Sequence, residues 1–358
     1  MSRSEGPPHA RPYDSVLETI GWTPLIRLRR VTAGLRTPVL VKAESFNPGG
    51  SVKDRIGVAI LEQAEWTGEL RPGGTVVEGT SGNTGVGLAL AAAVKGYRCI
   101  FAIPDKMSDE KVKLLRAFGA EVIVTPTVEP DHPEYYGTVA RRIAETTPGA
   151  FFADQFYNPA NPEAHYRTTG PEIWEQTEGR VTHFVASPGT GGTISGAARY
   201  LKERKPSVRV VAGDPEGSIY AEYHRTGVKT GGAPYRVEGI GNDKLPSTLH
   251  FEWIDEFRTV SDLEAFRLAR RITREEGLLV GGSTGLIVKV ALDVAREVDD
   301  PDACVVALLC DTGERYLSKA FDETWLRTAG LGSILEDEAR AAAETGPREA
   351  RSGGGVAT

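Results

Sequence analysis

Cysteine is scarce in this 358-residue chain: Cys99, Cys304 and Cys310 are all it has. They are odd in number, lie in apolar strand-like contexts, and show neither C-x-x-C spacing nor a nearby histidine cluster. That fits a reducing cytosol and argues against a structural metal. Long hydrophobic runs are missing as well. Residues 1–37 hold no continuous apolar segment of the kind a secretory signal needs. The most apolar stretch, Val86 to Ile103, is broken by Lys95, Gly96, Tyr97 and Arg98, so it reads as helix, turn and strand rather than a membrane span. No basic run offsets the net charge of −7, which argues against a nucleic-acid surface. No repeat recurs at a fixed period. What remains is a cytoplasmic chain of ordinary composition, 25% charged and 40% hydrophobic, long enough for two domains.

Short β-branched runs at 38–43, 75–78, 99–103, 121–125, 183–187, 209–213 and 305–310 alternate with amphipathic or alanine-rich stretches at 53–67, 84–95, 109–118 and 193–204. The alternation predicts an α/β fold of open, mostly parallel sheets flanked by helices. After Trp325 the composition turns charged, alanine-rich and finally glycine-rich. Residues 331–358, like 1–12, are expected to be mobile tails.

Four loops carry the chemistry. The first is Asn47-Pro48-Gly49-Gly50-Ser51-Val52-Lys53-Asp54-Arg55. Pro48 fixes a dihedral, the glycines permit conformations a Cβ forbids, and Ser51 is a good helix N-cap, which puts Lys53 in the first helical turn. The helix dipole there disfavours a second positive charge and favours a neutral, nucleophilic amine, which can form an imine with an aldehyde. Taken alone, the pattern equally suits a surface lysine after an ordinary loop. The second loop, Thr80-Ser81-Gly82-Asn83-Thr84-Gly85, follows the strand at 75–78 and opens a helix. Its N–H groups and hydroxyls suit a substrate carboxylate. Thr and Ser in such a turn are also plain caps, but an amide at Asn83 is not needed for capping.

The third loop, Gly189-Thr190-Gly191-Gly192-Thr193, sits between a strand and a helix and makes a phosphate cradle. It is neither a Walker A loop nor G-x-G-x-x-G, since Ile194 stands at the sixth position, so a small molecule with one phosphate fits better than a nucleotide. The fourth is Gly281-Gly282-Ser283-Thr284-Gly285. A neutral Ser283 hydroxyl facing a pyridine nitrogen would leave the ring unprotonated and favour loss of a β-leaving group over transamination.

In this order the four loops resemble the signatures of fold-type II pyridoxal-phosphate enzymes, the β-replacement group that holds cysteine synthases and cystathionine β-synthases. The resemblance runs from about Tyr13 to Trp325. It implies two sheets with pyridoxal 5'-phosphate in the cleft between a smaller domain, 45–160, and a larger one, 13–44 plus 161–330. It implies that Lys53 binds the cofactor aldehyde covalently and serves as the catalytic base, and that Asn83 contacts the cofactor's 3′-oxygen. It further implies that Gly189, Thr190, Gly191, Gly192 and Thr193 hold the phosphate and that Ser283 faces the ring nitrogen. Thr80, Ser81, Gly82 and Thr84, with Gln155, would hold the amino-acid carboxylate, and the segment around Gly239 would line the mouth that admits a thiol. The implied reaction is replacement of the β-group of L-serine, or an activated serine, by a thiol through an α-aminoacrylate. A homodimer without metal or haem is implied too, because no cysteine precedes Cys99 to pair with His9 at a haem, and little chain follows the catalytic region to form a regulatory domain.

Two branches compete. Segments 106–112, 115–121, 214–218, 237–243 and 278–283 look like cystathionine β-synthase, which joins serine to homocysteine. Asp154-Gln155-Phe156, with Phe where that branch usually has Tyr, and Asp311 to Ser318 look like O-acetylserine sulfhydrylase. The more numerous matches favour the first. A sensing module that had lost catalysis would lack Lys53. A further alternative is a deaminase or β-replacement synthase of specialised metabolism on the same scaffold, using phosphoserine or an amine nucleophile; a phosphoserine reader would want an arginine near 238–243, where the nearest is Arg236. His165 and His183 read as packing or capping residues, since the mechanism needs no histidine.

Overall fold

The structure, a computed structural model, describes residues 12–345 other than Ser81, Ser108 and Pro130. Its strands are β1 (Leu25–Arg27), β2 (Val39–Ala43), β3 (Thr75–Gly79), β4 (Arg98–Pro104), β5 (Glu121–Thr125), β6 (Ala150–Phe152), β7 (His183–Ala186), β8 (Arg209–Pro215), β9 (Glu256–Val260) and β10 (Val305–Leu309). Its helices are α1 (Lys53–Thr67), α2 (Asn83–Lys95), α3 (Asp109–Ala117), α4 (Tyr136–Thr146), α5 (Ala160–Arg167), α6 (Thr169–Gln176), α7 (Gly192–Arg204), α8 (Tyr220–Thr226), α9 (Asp262–Glu276), α10 (Gly282–Val298), α11 (Glu323–Thr328) and α12 (Ser333–Thr345).

The strands form a six-stranded sheet, β1-β2-β10-β7-β8-β9, and a four-stranded sheet, β5-β4-β3-β6. All neighbours are parallel except β1 and β2. Parallel strands covered on both faces read as unbroken apolar runs, and β10, buried along its whole length between β2 and β7, is the clearest case. Strands β1, β6 and β9 were not expected from the pattern. The first two are three residues long, and β9 is an edge strand whose Glu256 and Arg258 pair with each other.

Helix α1 buries Ile56, Ile60, Leu61 and Ala64, each worth roughly 1.5–3 kcal/mol for the larger side chains. It meets α2 backbone to backbone. A Cβ on Gly57 would lie 2.3 Å from the Gly87 carbonyl carbon, and one on Gly87 would lie 2.5 Å from the Lys53 carbonyl oxygen. The start of α1 is therefore seated directly on α2.

One expectation is corrected here. Residues 331–345 are not a mobile tail: Ile334 is fully buried, and Glu338 of α12 takes Arg270 Nε at 2.6 Å and Arg274 Nη1 at 2.7 Å from α9. The alanine-rich composition of 333–345 is that of a docked helix. Residues 1–11 and 346–358 lie outside the described residues.

Candidate active site

The loops that leave the C-terminal ends of β3, β7 and β10 converge on one cleft, whose wall includes Lys53, Asn83, Gly189, Thr190, Gly191, Thr193, Gly239 and Ser283. This is the place where parallel sheets bind ligands, because helix N-termini and loop amides point there.

Lys53 opens α1, as expected, but the cap differs. Val52 already has helical dihedrals, and Ser51 Oγ accepts from the Lys53 N–H at 3.2 Å while its backbone bridges to Asp311. Burial pushes the Lys53 amine below the usual lysine range, against the opposing pull of Cys310, Asp311 and Glu44. Burial therefore favours the neutral amine that the sequence argument had assigned to the helix dipole. Arg55, one half-turn on, is forked between Glu44 (2.7 Å) and Glu172 (2.6 Å), and Lys42 adds a 2.7 Å pair to Glu172, all four buried.

The cradle leaves no room for side chains. A Cβ on Gly189 would lie 2.3 Å from the Gly239 carbonyl oxygen, on Gly191 2.4 Å from Leu249 Cβ, and on Gly192 1.9 Å from Asn161 Oδ1. Gly191 has φ +88°, which glycine alone adopts without strain. Behind the loop, Asn161 Nδ2 donates to Thr190 Oγ1 at 3.0 Å and His165 Nε2 lies 3.1 Å from Thr193 Oγ1. His165 is held neutral by burial, then by Arg55 and Lys53, so it is a packing partner as the sequence suggested. At the end of β7, buried Ser187 Oγ has no hydrogen-bond partner among the described residues and lies on the cleft wall. A bare-backbone loop at the start of α7 with an orphaned hydroxyl beside it fits a phosphate group.

Ser283, at the start of α10, is buried against the Cys310 thiol, which burial pushes up to about 12 and so keeps protonated. A hydroxyl there can hydrogen-bond a ring nitrogen but supplies no charge to protonate it. Asn83 is gripped at both ends. Its Nδ2 donates to Asp311 Oδ2 at 2.7 Å, its Oδ1 accepts from Arg315, and Arg315 also donates to the Gly49 carbonyl. Tyr316 donates its hydroxyl to the same Asp311 oxygen at 2.6 Å. Asp311, Arg315 and Tyr316 received no role from the sequence. The available signal was a polar run directly after the apolar strand β10.

Of the expected carboxylate site, Thr80, Gly82, Thr84 and Gln155 stand beside the cleft rather than on its wall, where only their neighbour Asn83 of the described turn residues lies. Thr80 Oγ1 accepts from the N–H groups of Gly82 (3.1 Å) and Gly85 (3.3 Å), so its lone pairs serve the cap. Thr84 donates to Gln155 Oε1 at 2.5 Å and the Gln155 side chain also bonds Glu78, which leaves one hydrogen of its amide nitrogen to offer. Ser81 lies outside the described residues. Beneath the turn, burial and then Asp154 push the Glu78 carboxyl up to about 8.

Among the described residues no helix is long and apolar enough to cross a membrane, and no cluster of three or more His, Cys, Asp or Glu could hold a metal.

Residues 16–311 match the family described as "Pyridoxal-phosphate dependent enzyme". Cystathionine beta-synthase of Oryctolagus cuniculus is 48% identical over 326 residues, 90% of this chain and 58% of that protein. The cystathionine beta-synthase of Apis mellifera is 43% identical over 340 residues, 94% of this chain and 67% of that protein. The chain thus spans little more than half the length of the rabbit relative. Among solved structures, an O-ureido-L-serine synthase superposes with TM-score 0.80 at 39% identity, covering 88% of this chain and 100% of that one. An O-acetylserine dependent cystathionine beta-synthase from Helicobacter pylori does so with TM-score 0.79 at 37% identity, covering 86% and 98%.

Proposed function

This chain belongs to the pyridoxal-phosphate dependent enzyme family, and from that premise we propose that it catalyses β-replacement on a serine-type amino acid by a thiol, in the manner of a cystathionine β-synthase acting on L-serine and homocysteine. The observation that carries the reading is the half-buried Lys53, its amine held below the usual lysine range, in one cleft with a side-chain-free phosphate cradle. The similarity to cystathionine beta-synthases over most of the chain supports the choice of reaction.

Pyridoxal phosphate, when bound, supplies an aldehyde that links to amines and a ring that withdraws electrons from the α-carbon. Lys53 is the residue that would hold it covalently, Gly189 to Thr193 its phosphate, Asn83 its 3′-oxygen and Ser283 its ring nitrogen. The Gln155 amide, oriented by the Thr84 hydroxyl, and the N–H groups at the start of α2 would take the substrate carboxylate and fix the Cα–H bond toward Lys53. Lys53 Nζ would take the α-proton as general base, because burial favours the neutral amine, which has a lone pair to accept it. The same nitrogen then stands as the acid that protonates the departing β-group. Carboxylate binding would draw residues 45–160 toward 13–44 plus 161–330 and exclude water.

We take the enzyme to be a cytoplasmic homodimer that uses neither metal nor haem. A Soret band in the pure protein would contradict the haem-free assignment. A second reading, cysteine synthesis from O-acetylserine and sulfide, is favoured by Phe156. A phenyl there offers no hydroxyl to help a poor leaving group depart, whereas acetate needs little help.

The test is product analysis by mass spectrometry with pyridoxal phosphate and each pair of substrates, in wild type and Lys53→Ala. Cystathionine from serine and homocysteine establishes the first reading, and cysteine only from O-acetylserine and sulfide establishes the second. Undiminished turnover by Lys53→Ala would sink both.

A further inference from the structure

We propose that Asn161 is a positioning residue for the cofactor's phosphate: it makes the Thr190 hydroxyl a dedicated hydrogen-bond donor, and so lets the cradle select pyridoxal phosphate over pyridoxal. The proposal rests on the cofactor reading above. Asn161 is the second residue of α5 and is 1% exposed. Its Nδ2 donates to the Gln155 carbonyl at 2.8 Å and to Thr190 Oγ1 at 3.0 Å. A backbone carbonyl only accepts, so Gln155 fixes which end of the amide is nitrogen, and both hydrogens of that nitrogen are then spent.

The consequence falls on Thr190. A hydroxyl has one hydrogen to give and two lone pairs to offer. Among the described residues Asn161 is the one partner of Thr190 Oγ1, and it fills a lone pair from behind the loop. Thr190 lies on the cleft wall. Its O–H cannot turn back toward the donor that faces it, and it is left for an acceptor in the cleft. A phosphate offers acceptors alone, and a hydroxyl whose direction is already set loses little freedom on meeting one.

The surroundings hold this arrangement in place. Thr248 Oγ1 shares its hydrogen between the Thr190 carbonyl at 2.6 Å and the Phe156 carbonyl at 3.0 Å. Residues 155 and 156 are thus tied to the cradle twice, through Asn161 and through Thr248. The amide is also wedged against bare backbone, since a Cβ on Gly192 would lie 1.9 Å from Asn161 Oδ1. Thr193 differs. Its neighbour His165 Nε2, at 3.1 Å, donates or accepts according to tautomer and does not settle where the Thr193 hydrogen goes.

The rival interpretation is that Asn161 only braces α5 against the loop. Titration of the apoprotein with pyridoxal phosphate and with pyridoxal, followed by visible absorbance, separates the two. Both ligands carry the aldehyde that Lys53 takes, and only one carries the phosphate. Wild type is compared with Asn161→Asp, Asn161→Ala, Thr190→Val and the double variant Asn161→Ala/Thr190→Val, and pyridoxal binding reports that each is folded with Lys53 in place. Asn161→Asp, nearly the same shape, replaces a donor by an acceptor and draws the Thr190 hydrogen to itself. Its preference for pyridoxal phosphate over pyridoxal is expected to fall about tenfold or more, the loss of one hydrogen bond to a charged group. Thr190→Val should lose a comparable factor, and in that background Asn161→Ala should lower the preference no further, since its effect passes through the Thr190 hydroxyl. Should Asn161→Asp fail to fold, the cycle of Asn161→Ala and Thr190→Val decides alone. Variants of Asn161 that weaken both ligands alike, or a double variant whose losses simply add, overturn the proposal and leave a packing contact. A wild type that takes up neither aldehyde overturns the cofactor reading instead, and this proposal with it.

Discussion

Asn83 and Asp311, 228 positions apart in the chain, meet at 2.7 Å with the amide nitrogen donating to the carboxylate. Arg315 donates to the other end of the same amide, so its orientation is settled by one obligate acceptor and one obligate donor. One Nδ2 hydrogen is left to face the cleft. Asp311→Ala releases the amide and strands the Tyr316 hydroxyl, and should weaken retention of pyridoxal phosphate about tenfold, near the value of one buried hydrogen bond. Equilibrium titration of the apoprotein with cofactor, followed by visible absorbance, checks this; an unchanged affinity would show that Asn83 does not depend on Asp311.

Gly192→Ala drives a methyl group to within 1.9 Å of Asn161 Oδ1. Asn161 cannot turn aside cheaply, because its Nδ2 is bonded to the Gln155 carbonyl at 2.8 Å and to Thr190 at 3.0 Å. The overpacking should cost about 1–3 kcal/mol in urea unfolding. Because the displaced groups shape the cradle, inorganic phosphate should also protect the variant less than wild type against thermal unfolding.

Glu78 gives a pH signature. Its carboxyl is pushed up to about 8 by burial and Asp154, against 4.5 in the ordinary case. The unfolded chain gives up this proton near 4.5 while the folded chain keeps it to about 8. The group's contribution to stability is therefore full below pH 4.5 and is lost as pH rises to 8. Glu78→Gln removes the titration, so its unfolding free energy should decline less than that of wild type between those two pH values. Parallel curves from denaturant titrations would contradict the assignment.

Arg55 offers the largest effect. Arg55→Met leaves Glu44 and Glu172 buried with only Lys42 between them, and stranding a buried charge costs about 3–5 kcal/mol. Urea denaturation should show a loss of that order. Replacing Glu44 and Arg55 together by apolar residues should lose less than the sum of the single changes, since the uncompensated charges go together.

The alternation of runs was enough to place most strands and to mark parallel sheets, because each parallel strand must be apolar on both faces. Strands β1, β6 and β9 escaped notice because two are too short for any period and one is an edge. The mobile-tail expectation failed at 333–345 because composition does not reveal that Arg270 and Arg274 wait on α9 for Glu338.

The sequence by itself determined the local form of the four loops: where a turn must be bare, where a hydroxyl sits, and which amine opens a helix. These are matters of local dihedral freedom and N-terminal amides, settled within a few residues. Only the tertiary structure decided that Asp311 and Arg315 grip Asn83, that Thr80 spends its lone pairs on its own turn, and that Asn161 stands between Gln155 and Thr190. The physical reason is that a side chain's hydrogen-bond partner is chosen by proximity in space, and no pattern within one segment records which distant segment the fold will bring to it.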